Sequence, residues 1–161
     1  MTRVEFSVVG LPAPQGSKRA FVNRHTGRAA LVESSSRHKD WRALVALTAA
    51  EHRHLLGIPP EPLAGGLNLA AVFSFPRPAS HYGAGKNARV LKPSAPQAVG
   101  TPDLSKLVRS IEDAMTGIVY RDDAQIQSYD GTRKVWVDRW LAPGVRICVS
   151  QLEARESLCA G

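Results

Sequence analysis

Residues 101–125 combine a helical pattern of apolar side chains with a high concentration of acidic ones. The pattern begins after Pro102 and Asp103, which are typical of a helix start, and it ends at Gly117, a common helix stop. The apolar residues recur at a spacing of three or four: Leu104, Leu107, Val108, Ile111, Ala114, Met115 and Ile118. The remaining positions form a polar face: Ser105, Lys106, Arg109, Ser110, Glu112 and Asp113. This spacing predicts a helix with one buried face, followed by a segment that returns along it.

Five of the chain's fourteen acidic residues fall in this stretch, although the net charge of the protein is +7. They are Asp103, Glu112, Asp113, Asp122 and Asp123. A chain that doubles back after a helix brings its ends together, so Asp103 and Asp123 are expected to meet. Gathered carboxylates suit Mg²⁺, which binds one or two of them and leaves places for phosphate oxygens. Arg109 on the same helix could then hold a phosphate through two hydrogen bonds.

A simpler interpretation of the same residues stays open. Asp103 can serve only as a helix cap, and Asp122 with Asp123 only as a turn. Arg109 can pair with an acidic side chain three or four positions away. Because caps and turns are common uses of aspartate, spacing alone does not decide between a structural role and metal binding.

Alternating apolar and polar residues predict most of the strands. The predicted strands lie at 3–11, 67–75, 124–129, 133–140 and 144–152, with Asp130 and Gly131 as the turn between the third and the fourth. The run at 67–75 is strongly apolar and is therefore expected to be a central strand. A hairpin is expected over residues 21–32, with Gly27 in its turn.

A second helix is predicted from about Arg37 to Leu56, before Gly57 and Pro59. The expected inner face consists of Trp41, Leu44, Val45, Thr48 and Leu55. Two helices packed on a mixed sheet define an α/β (α+β) fold. At 161 residues we expect a single domain, 1–161, with a frayed tail at 153–161.

The positive charge is concentrated in one part of the chain. Residues 1–100 carry 13 basic and 5 acidic side chains, whereas residues 101–161 carry 8 and 9. No acidic residue lies between Pro62 and Pro102. The segment 76–100 holds four prolines and few large apolar side chains, which predicts a long, mobile basic loop. Such a surface beside an acidic cluster favours a nucleic-acid partner, while a plain connector and a solvated basic surface remain the alternatives.

Basic side chains in three places are candidates for contacts with DNA phosphates. They are Lys18 and Arg19 near the predicted hairpin, Arg77, Lys86, Arg89 and Lys92 in the loop, and Lys106 on the acidic helix. For any one of them a solvated surface charge is the competing interpretation.

The composition also bears on where the protein acts. No apolar run reaches the roughly 18 residues of a membrane span, and the first residues lack the apolar region of a signal peptide. Cys148 and Cys159 do not have the spacing of a metal site and are expected to be reduced thiols. We therefore expect a cytoplasmic protein with no membrane partner.

The stretch from Pro102 to Ile126 resembles the signature of the RusA-type Holliday junction resolvases, which are small Mg²⁺-dependent endonucleases of phages and prophages. Their pattern runs roughly P-D-x-D-[NK]-L-x-[KR], then D-A-[LM], then D-D-[AS]-Q. The matching residues here are Asp103, Lys106-Leu107, Arg109, Asp113-Ala114-Met115 and Asp122-Asp123-Ala124-Gln125. The segments GLPAPQGSKR at 10–19 and FSFPRP at 73–78 are similar to two further family segments and occur in the same order.

This resemblance implies an endonuclease that resolves four-way DNA junctions by paired symmetric nicks, in recombination and repair. It implies Mg²⁺ as the cofactor, with Mn²⁺ as an alternative, bound by Asp103, Asp122 and Asp123. Arg109 would steady the scissile phosphate, and Asp113 would be a further catalytic residue. Two nicks on opposing strands imply a homodimer with twofold symmetry.

The sequence departs from the family pattern at Ser105, where the family has a second aspartate. A hydroxyl is a weaker Mg²⁺ ligand than a carboxylate. The alternative function is therefore a branched-DNA-binding protein with weak or no cleavage. A further alternative is an RNA-binding or structural phage protein that uses only the basic surface.

Overall fold

The computed structural model describes residues 2–16, 18–22, 29–33, 36–57, 59 and 61–152. The helices and strands follow the order β1 (Arg3–Val9), β2 (Lys18–Val22), β3 (Ala29–Glu33), α1 (Ser36–Leu55), β4 (Leu67–Pro76), α2 (Leu104–Met115), β5 (Ile126–Ser128), β6 (Arg133–Val137) and β7 (Gly144–Gln151). Short 3₁₀ turns lie at Ala79–His81, Gly85–Asn87 and Asp123–Gln125. Within the described residues these elements form a five-stranded mixed sheet, a two-stranded sheet and two helices, which confirms the α+β class.

β4 is the central strand of the mixed sheet. It pairs antiparallel with β7 on one side, and β7 in turn pairs antiparallel with β1. On its other side, β4 runs parallel to β5 and β6. Its side chains alternate between buried and half-buried positions along the whole strand, so neither face is fully open to solvent. The prediction of a central strand at 67–75 is confirmed.

β5 and β6 flank the predicted turn at Asp130 and Gly131, but both are shorter than the predicted strands. Both pair in parallel with successive parts of β4, and they do not pair with each other across Asp130 and Gly131. Gly131 has a φ of +90°, which glycine adopts readily, and it lets the chain step along the edge of β4. Thr132 supplies hydrogen bonds at this step, because its hydroxyl donates to Leu69 O at 2.8 Å and accepts from Ala71 N at 3.1 Å. Thr132 thereby supplies hydrogen-bond partners to backbone groups of β4 that lie between its contacts with β5 and β6.

α1 buries a narrower stripe than predicted. Trp41, Val45 and Ala49 are buried, and the helix packs on α2 and β1. Leu44 is 39% exposed and Leu55 is 81% exposed, so their assignment to the inner face was wrong. The buried stripe follows a spacing of four residues after Trp41, which leaves Leu44 at the edge of the contact and Leu55 beyond it in the last turn.

α2 supplies part of the core and orients the acidic residues. Leu107, Ile111 and Met115 are fully buried, which confirms the predicted apolar face. Gly117, with a φ of +79°, follows the end of the helix as predicted. The predicted polar face was too wide, because Ser110 and Glu112 are also buried. Burial of a carboxylate beside other acidic residues is the main electrostatic feature of this helix.

The basic segment 77–100 has defined turns and contacts. Tyr82 is buried and forms an isolated bridge with Leu91. Lys92 N donates to His81 O at 2.9 Å, and Arg77 N donates to Val137 O of β6 at 2.9 Å. These contacts pack the segment against the domain, while its mobility stays a prediction.

Two predicted features lie partly outside the described residues. β2 and β3 pair antiparallel, with Lys18 opposite Glu33, which confirms the two strands of the hairpin. The turn around Gly27 and the tail at 153–161 fall outside the described residues. In the described part of the chain, no helix is long and apolar enough to cross a membrane.

Leu107→Ala tests the burial of α2. The substitution opens a cavity at a fully buried position, and we expect the free energy of unfolding to fall by about 2–5 kcal/mol in urea titrations. Leu55→Ala is the matched control, because the same side chain is lost from an exposed position and the expected change is within about 0.5 kcal/mol. Equal losses in the two variants would contradict the observed packing.

Candidate active site

Three of the predicted carboxylates line one depression between α1 and the end of α2. The depression has a volume of about 390 Å³ and is lined by Arg42, Asp113, Thr116, Asp122 and Asp123. A tight return after α2, in which Gly117 N donates to Tyr120 O at 2.7 Å, carries the chain back toward this place. The structure therefore brings Asp113, Asp122 and Asp123 together, with an arginine among them.

Asp103 lies at the opposite end of α2. It occupies the N-cap position, but its side chain makes no capping hydrogen bond. Its Oδ2 lies 3.3 Å from Lys106 Nζ, in an exposed ion pair of the kind that contributes little stability. At 1.5 Å per residue, Asp113 is about 15 Å farther along the helix axis. Asp103 does not line the depression of Asp122 and Asp123, so the expected meeting of Asp103 with Asp123 is not seen among the described residues.

Asp122 orders a turn, which is the simpler of the two interpretations of its position in the sequence. Its Oδ1 accepts the N–H of Ala124 at 2.8 Å, and Gln125 Oε1 accepts the N–H of Asp122 at 3.2 Å. This reciprocal cap orders the 3₁₀ turn. The N–H of Ala124, and secondarily the side chain of Asp123, holds the pKa of Asp122 below its usual range. Asp123 is the next residue and is exposed, so both carboxylates are accessible from solvent.

Asp113 is held by two residues that the sequence analysis missed. Gln15 Nε2 donates to Asp113 Oδ2 at 3.1 Å, and Arg42 Nη1 lies 3.7 Å from the same oxygen. The loop after β1 delivers Gln15, whose N–H donates to Lys106 O at 3.0 Å. Gln15 belongs to the segment at 10–19 that is similar to a family segment, which was an available signal. Arg42 carried no such signal, because a helical pattern does not say which polar residue faces a neighbouring helix.

Glu112 is a buried carboxylate beside this cluster. It is 8% exposed, and its Oε1 accepts the hydroxyl of Tyr129 at 2.5 Å. Burial raises the pKa of Glu112 above its ordinary value, and the hydrogen bond from Tyr129 opposes this shift. The charges of Asp123 and Asp113 raise this pKa further, whereas Arg109 lowers it. Burial and the contact with Glu112 also raise the pKa of Tyr129 to about 12, so its hydroxyl stays protonated as the donor.

Arg109 and Ser105 line a neighbouring depression. Its volume is also about 390 Å³, and its other lining residues are Leu104, Val108, Glu112, Tyr129 and Thr132. Arg109 is exposed and lies one helical turn before Asp113. The position at which the family pattern has its second aspartate is therefore beside Arg109, separate from the depression of Asp122 and Asp123.

Some of the predicted DNA-contacting side chains are engaged within the protein. Arg77 Nη1 donates to Pro96 O at 2.8 Å, and Lys92 Nζ donates to Ser80 O at 2.9 Å. Both bonds stabilise the turns of the segment 77–100. Lys106 is paired with Asp103 through its ammonium group.

The remaining predicted contacts are more open or lie outside the described structure. Lys86 and Arg89 are exposed in the segment 77–100. The side chains of Lys18 and Arg19 lie outside the described part of the chain, although the backbone of their strand is described.

A divalent cation is compatible with the depression. Among the described residues, no group of three or more His, Cys, Asp or Glu side chains is arranged to hold a metal ion. Mg²⁺ does not require such a group, because it commonly binds one or two protein carboxylates and completes its shell with water and phosphate oxygens. Asp122, Asp123 and the facing Asp113 provide donors of this chemistry in one place. The residues present therefore fit a hard divalent cation, and Asp103, as a metal ligand, stays a prediction because it does not line this depression.

Solvent-facing carboxylates beside an arginine, on a strongly basic domain, provide donors suited to a divalent cation and to a phosphate. Residues 12–150 match the family Endodeoxyribonuclease RusA, and the chain belongs to this family. The match confirms the resemblance in Pro102–Ile126. Nucleases of this family act on branched DNA and depend on a divalent metal ion.

One curated relative is also similar over much of its length. The chain is 25% identical over 126 residues to the Bacillus subtilis protein named "Uncharacterized protein YqaN". The similar region covers 78% of this chain and 83% of that protein.

Glu112→Gln tests the electrostatic cost of the buried carboxylate. Because the pKa of Glu112 is raised in the folded protein, the folded state keeps a proton that the unfolded state releases near pH 4.5. The contribution of Glu112 to stability therefore falls as pH rises from about 4.5 through the raised pKa. Glutamine does not titrate and can still accept the hydroxyl of Tyr129. We expect the free energy of unfolding of the variant, relative to wild type, to increase with pH across this interval in metal-free urea titrations.

Glu51→Gln is the control for this measurement, because Glu51 is exposed on α1. Its difference from wild type should not change over the same pH interval. A pH-independent difference for Glu112→Gln as well would contradict the proposed effect of burial.

Proposed function

We propose that this protein is a junction-resolving endonuclease, which cuts four-way DNA (Holliday) junctions by paired symmetric nicks in recombination and repair. The observation that carries the proposal is the depression shared by Asp113, Asp122, Asp123 and Arg42, in a chain of the RusA endodeoxyribonuclease family. The proposal includes an origin in a phage or prophage and a cytoplasmic site of action.

We propose Mg²⁺ as the cofactor, with Mn²⁺ as a substitute, and Asp122 and Asp123 as the residues that would hold it. When bound, such a cation polarises a phosphoryl oxygen and lowers the pKa of a coordinated water. Asp122 and Asp123 are suited to this role because both are exposed and line the same depression. Asp113 lies across the same depression, and the hydrogen bond from Gln15 fixes the direction of its carboxylate.

Two arginines could bind the scissile phosphate. Arg42 lies in the carboxylate depression, and its separation of 3.7 Å from Asp113 is longer than a strong charge-assisted hydrogen bond. Arg109, in the neighbouring depression, is the residue to which the family resemblance assigns this role. A guanidinium group can bind two phosphate oxygens at once and remains charged at any working pH.

The basic surface and the need for two nicks complete the proposal. Residues 62–102 contain no acidic side chain, so this part of the chain is suited to binding the DNA backbone by release of counterions. Symmetric nicks on two strands require two active sites, which a homodimer with twofold symmetry would supply.

A second candidate function is the binding of branched DNA with weak or no cleavage. It is favoured by Ser105, which replaces a carboxylate of the family pattern. The two candidates differ in whether a labelled four-way junction is cut in the presence of Mg²⁺.

Asp123→Asn separates cleavage from binding. The substitution removes one ligand charge but keeps the shape of the side chain, while most of the affinity for DNA comes from basic groups. We expect junction cleavage in Mg²⁺ to be lost and the Kd for the junction, measured in EDTA, to change by less than about threefold. Glu51→Gln removes one exposed negative charge from α1 and should keep full cleavage. Cleavage at the wild-type rate by Asp123→Asn would refute the assignment.

Calorimetric titration of the protein with Mg²⁺, in the absence of DNA, tests which residues bind the metal. We expect Asp123→Asn to weaken Mg²⁺ binding by at least about tenfold, because even indirect partners of metal ligands cost that much when removed. Ser105→Asp adds a carboxylate in the neighbouring depression and should change the affinity by less than about threefold, since exposed charges are screened. A large gain in affinity for Ser105→Asp would place position 105 at the metal.

A further inference from the structure

Trp140 is an exposed aromatic residue with two arginines against it, and it does not line the carboxylate depression. The guanidinium carbon of Arg89 lies 5.1 Å from the centre of the indole ring, and that of Arg139 lies 5.7 Å from it. Arg89 belongs to the segment 77–100, whereas Arg139 and Trp140 belong to the turn between β6 and β7. Although two cations contact its ring, Trp140 remains 52% exposed. A large part of its aromatic surface is therefore accessible.

The ring of Trp140 packs against the ring of Tyr82. The two rings meet edge to face, with their centres 5.3 Å apart and their planes at 62°. Tyr82 is buried, its hydroxyl donates to Asp138 Oδ1 at 3.2 Å, and the same hydroxyl accepts the N–H of Arg139 at 3.2 Å. Because its neighbours are fixed in this way, the aromatic surface is ordered before any ligand arrives, which lowers the entropic cost of binding.

Trp136 provides an internal comparison. It also has an arginine over its ring, Arg77 at 5.5 Å, and a histidine at its edge, His81 at 5.2 Å. Trp136, however, is partly buried and packs against the hydrophobic core. That contact already attaches the segment 77–100 to β6. Trp140 differs from Trp136 because it is 52% exposed to solvent.

The charges around Trp140 select the ligand. Arg89 and Arg139 are both cationic, and the neighbouring acidic residue, Asp138, accepts the hydroxyl of Tyr82. A partly exposed indole with guanidinium groups over its ring suits a planar group that carries a phosphate. Nucleobases stack on tryptophan and on the plane of guanidinium groups, and arginine also binds phosphate oxygens.

We propose that Trp140, Arg89 and Arg139 form a stacking site for an unpaired nucleotide of DNA. The base would stack on the open part of the indole ring, and its phosphate would contact a guanidinium group. Bases inside a duplex are covered by their neighbours, so the site would take a base that is unstacked at a branch point or in a single strand. The inference rests on the proposed function, because that function supplies the branched DNA. It adds a contact that binds an unstacked base at a place separate from the carboxylates.

The test uses the full chain and two short single-stranded probes of equal length, an oligothymidylate and an abasic oligonucleotide. The abasic probe carries the same phosphates but has no bases. We expect oligothymidylate to quench the tryptophan fluorescence, because a stacked base contacts Trp140, and the abasic probe to leave it unchanged. The quenching should disappear in Trp140→Phe and persist in the matched variant Trp136→Phe.

Affinities measured on variants at position 140 distinguish the loss of base stacking from a general loss of structure. Trp140→Ala should bind oligothymidylate about tenfold more weakly, as is usual for the loss of one base-stacking side chain, with no change for the abasic probe. Trp140→Phe keeps an aromatic face and should lose less affinity than the alanine variant. Equal quenching by both probes, or quenching that survives in Trp140→Phe, would overturn the stacking site.

The outcome is distinguishable from failure of the proposed nuclease function. Quenching that depends on Trp140, in a protein that leaves four-way junctions uncut in Mg²⁺, would support the stacking site and refute the nuclease. Junction cleavage without quenching at Trp140 would support the nuclease and refute the stacking site.

Discussion

The burial of one face of α2 is the contact on which the candidate active site depends. Leu107, Ile111 and Met115 enter the hydrophobic core, so the helix cannot rotate without exposing them. This fixed orientation directs Asp113 toward α1, and the return after the helix places Asp122 and Asp123 beside it. Neighbouring carboxylates repel one another, and here the packing of the helix holds them together against that repulsion.

Glu112 increases the negative charge around the site at a cost to stability. Its carboxylate is buried, and the hydroxyl of Tyr129 satisfies one of its oxygens. Burial disfavours its ionised form, and the charges of Asp123 and Asp113 add to this effect. A cation bound at Asp122 and Asp123 would offset the same repulsion.

β6 connects the start of α2 with the aromatic surface around Trp140. Lys134 Nζ donates to Pro102 O at 2.8 Å, which attaches the segment before α2 to this strand. Trp136 on the same strand packs against the core and Arg77, and Trp140 follows in the turn after the strand.

Local patterns in the sequence determined the α+β class, the central strand, the buried face of α2 and the family, because alternation and helical spacing act within one element. The tertiary structure alone decided which polar residues meet. Asp103 and Asp123 were expected to be neighbours, but a straight helix keeps its two ends apart. Gln15 and Arg42 reached Asp113 from a loop and from another helix, through contacts that no local period encodes. Leu55 stayed exposed because the buried stripe of α1 continues from Ala49 to Arg53, a matter of packing between elements that are distant in sequence.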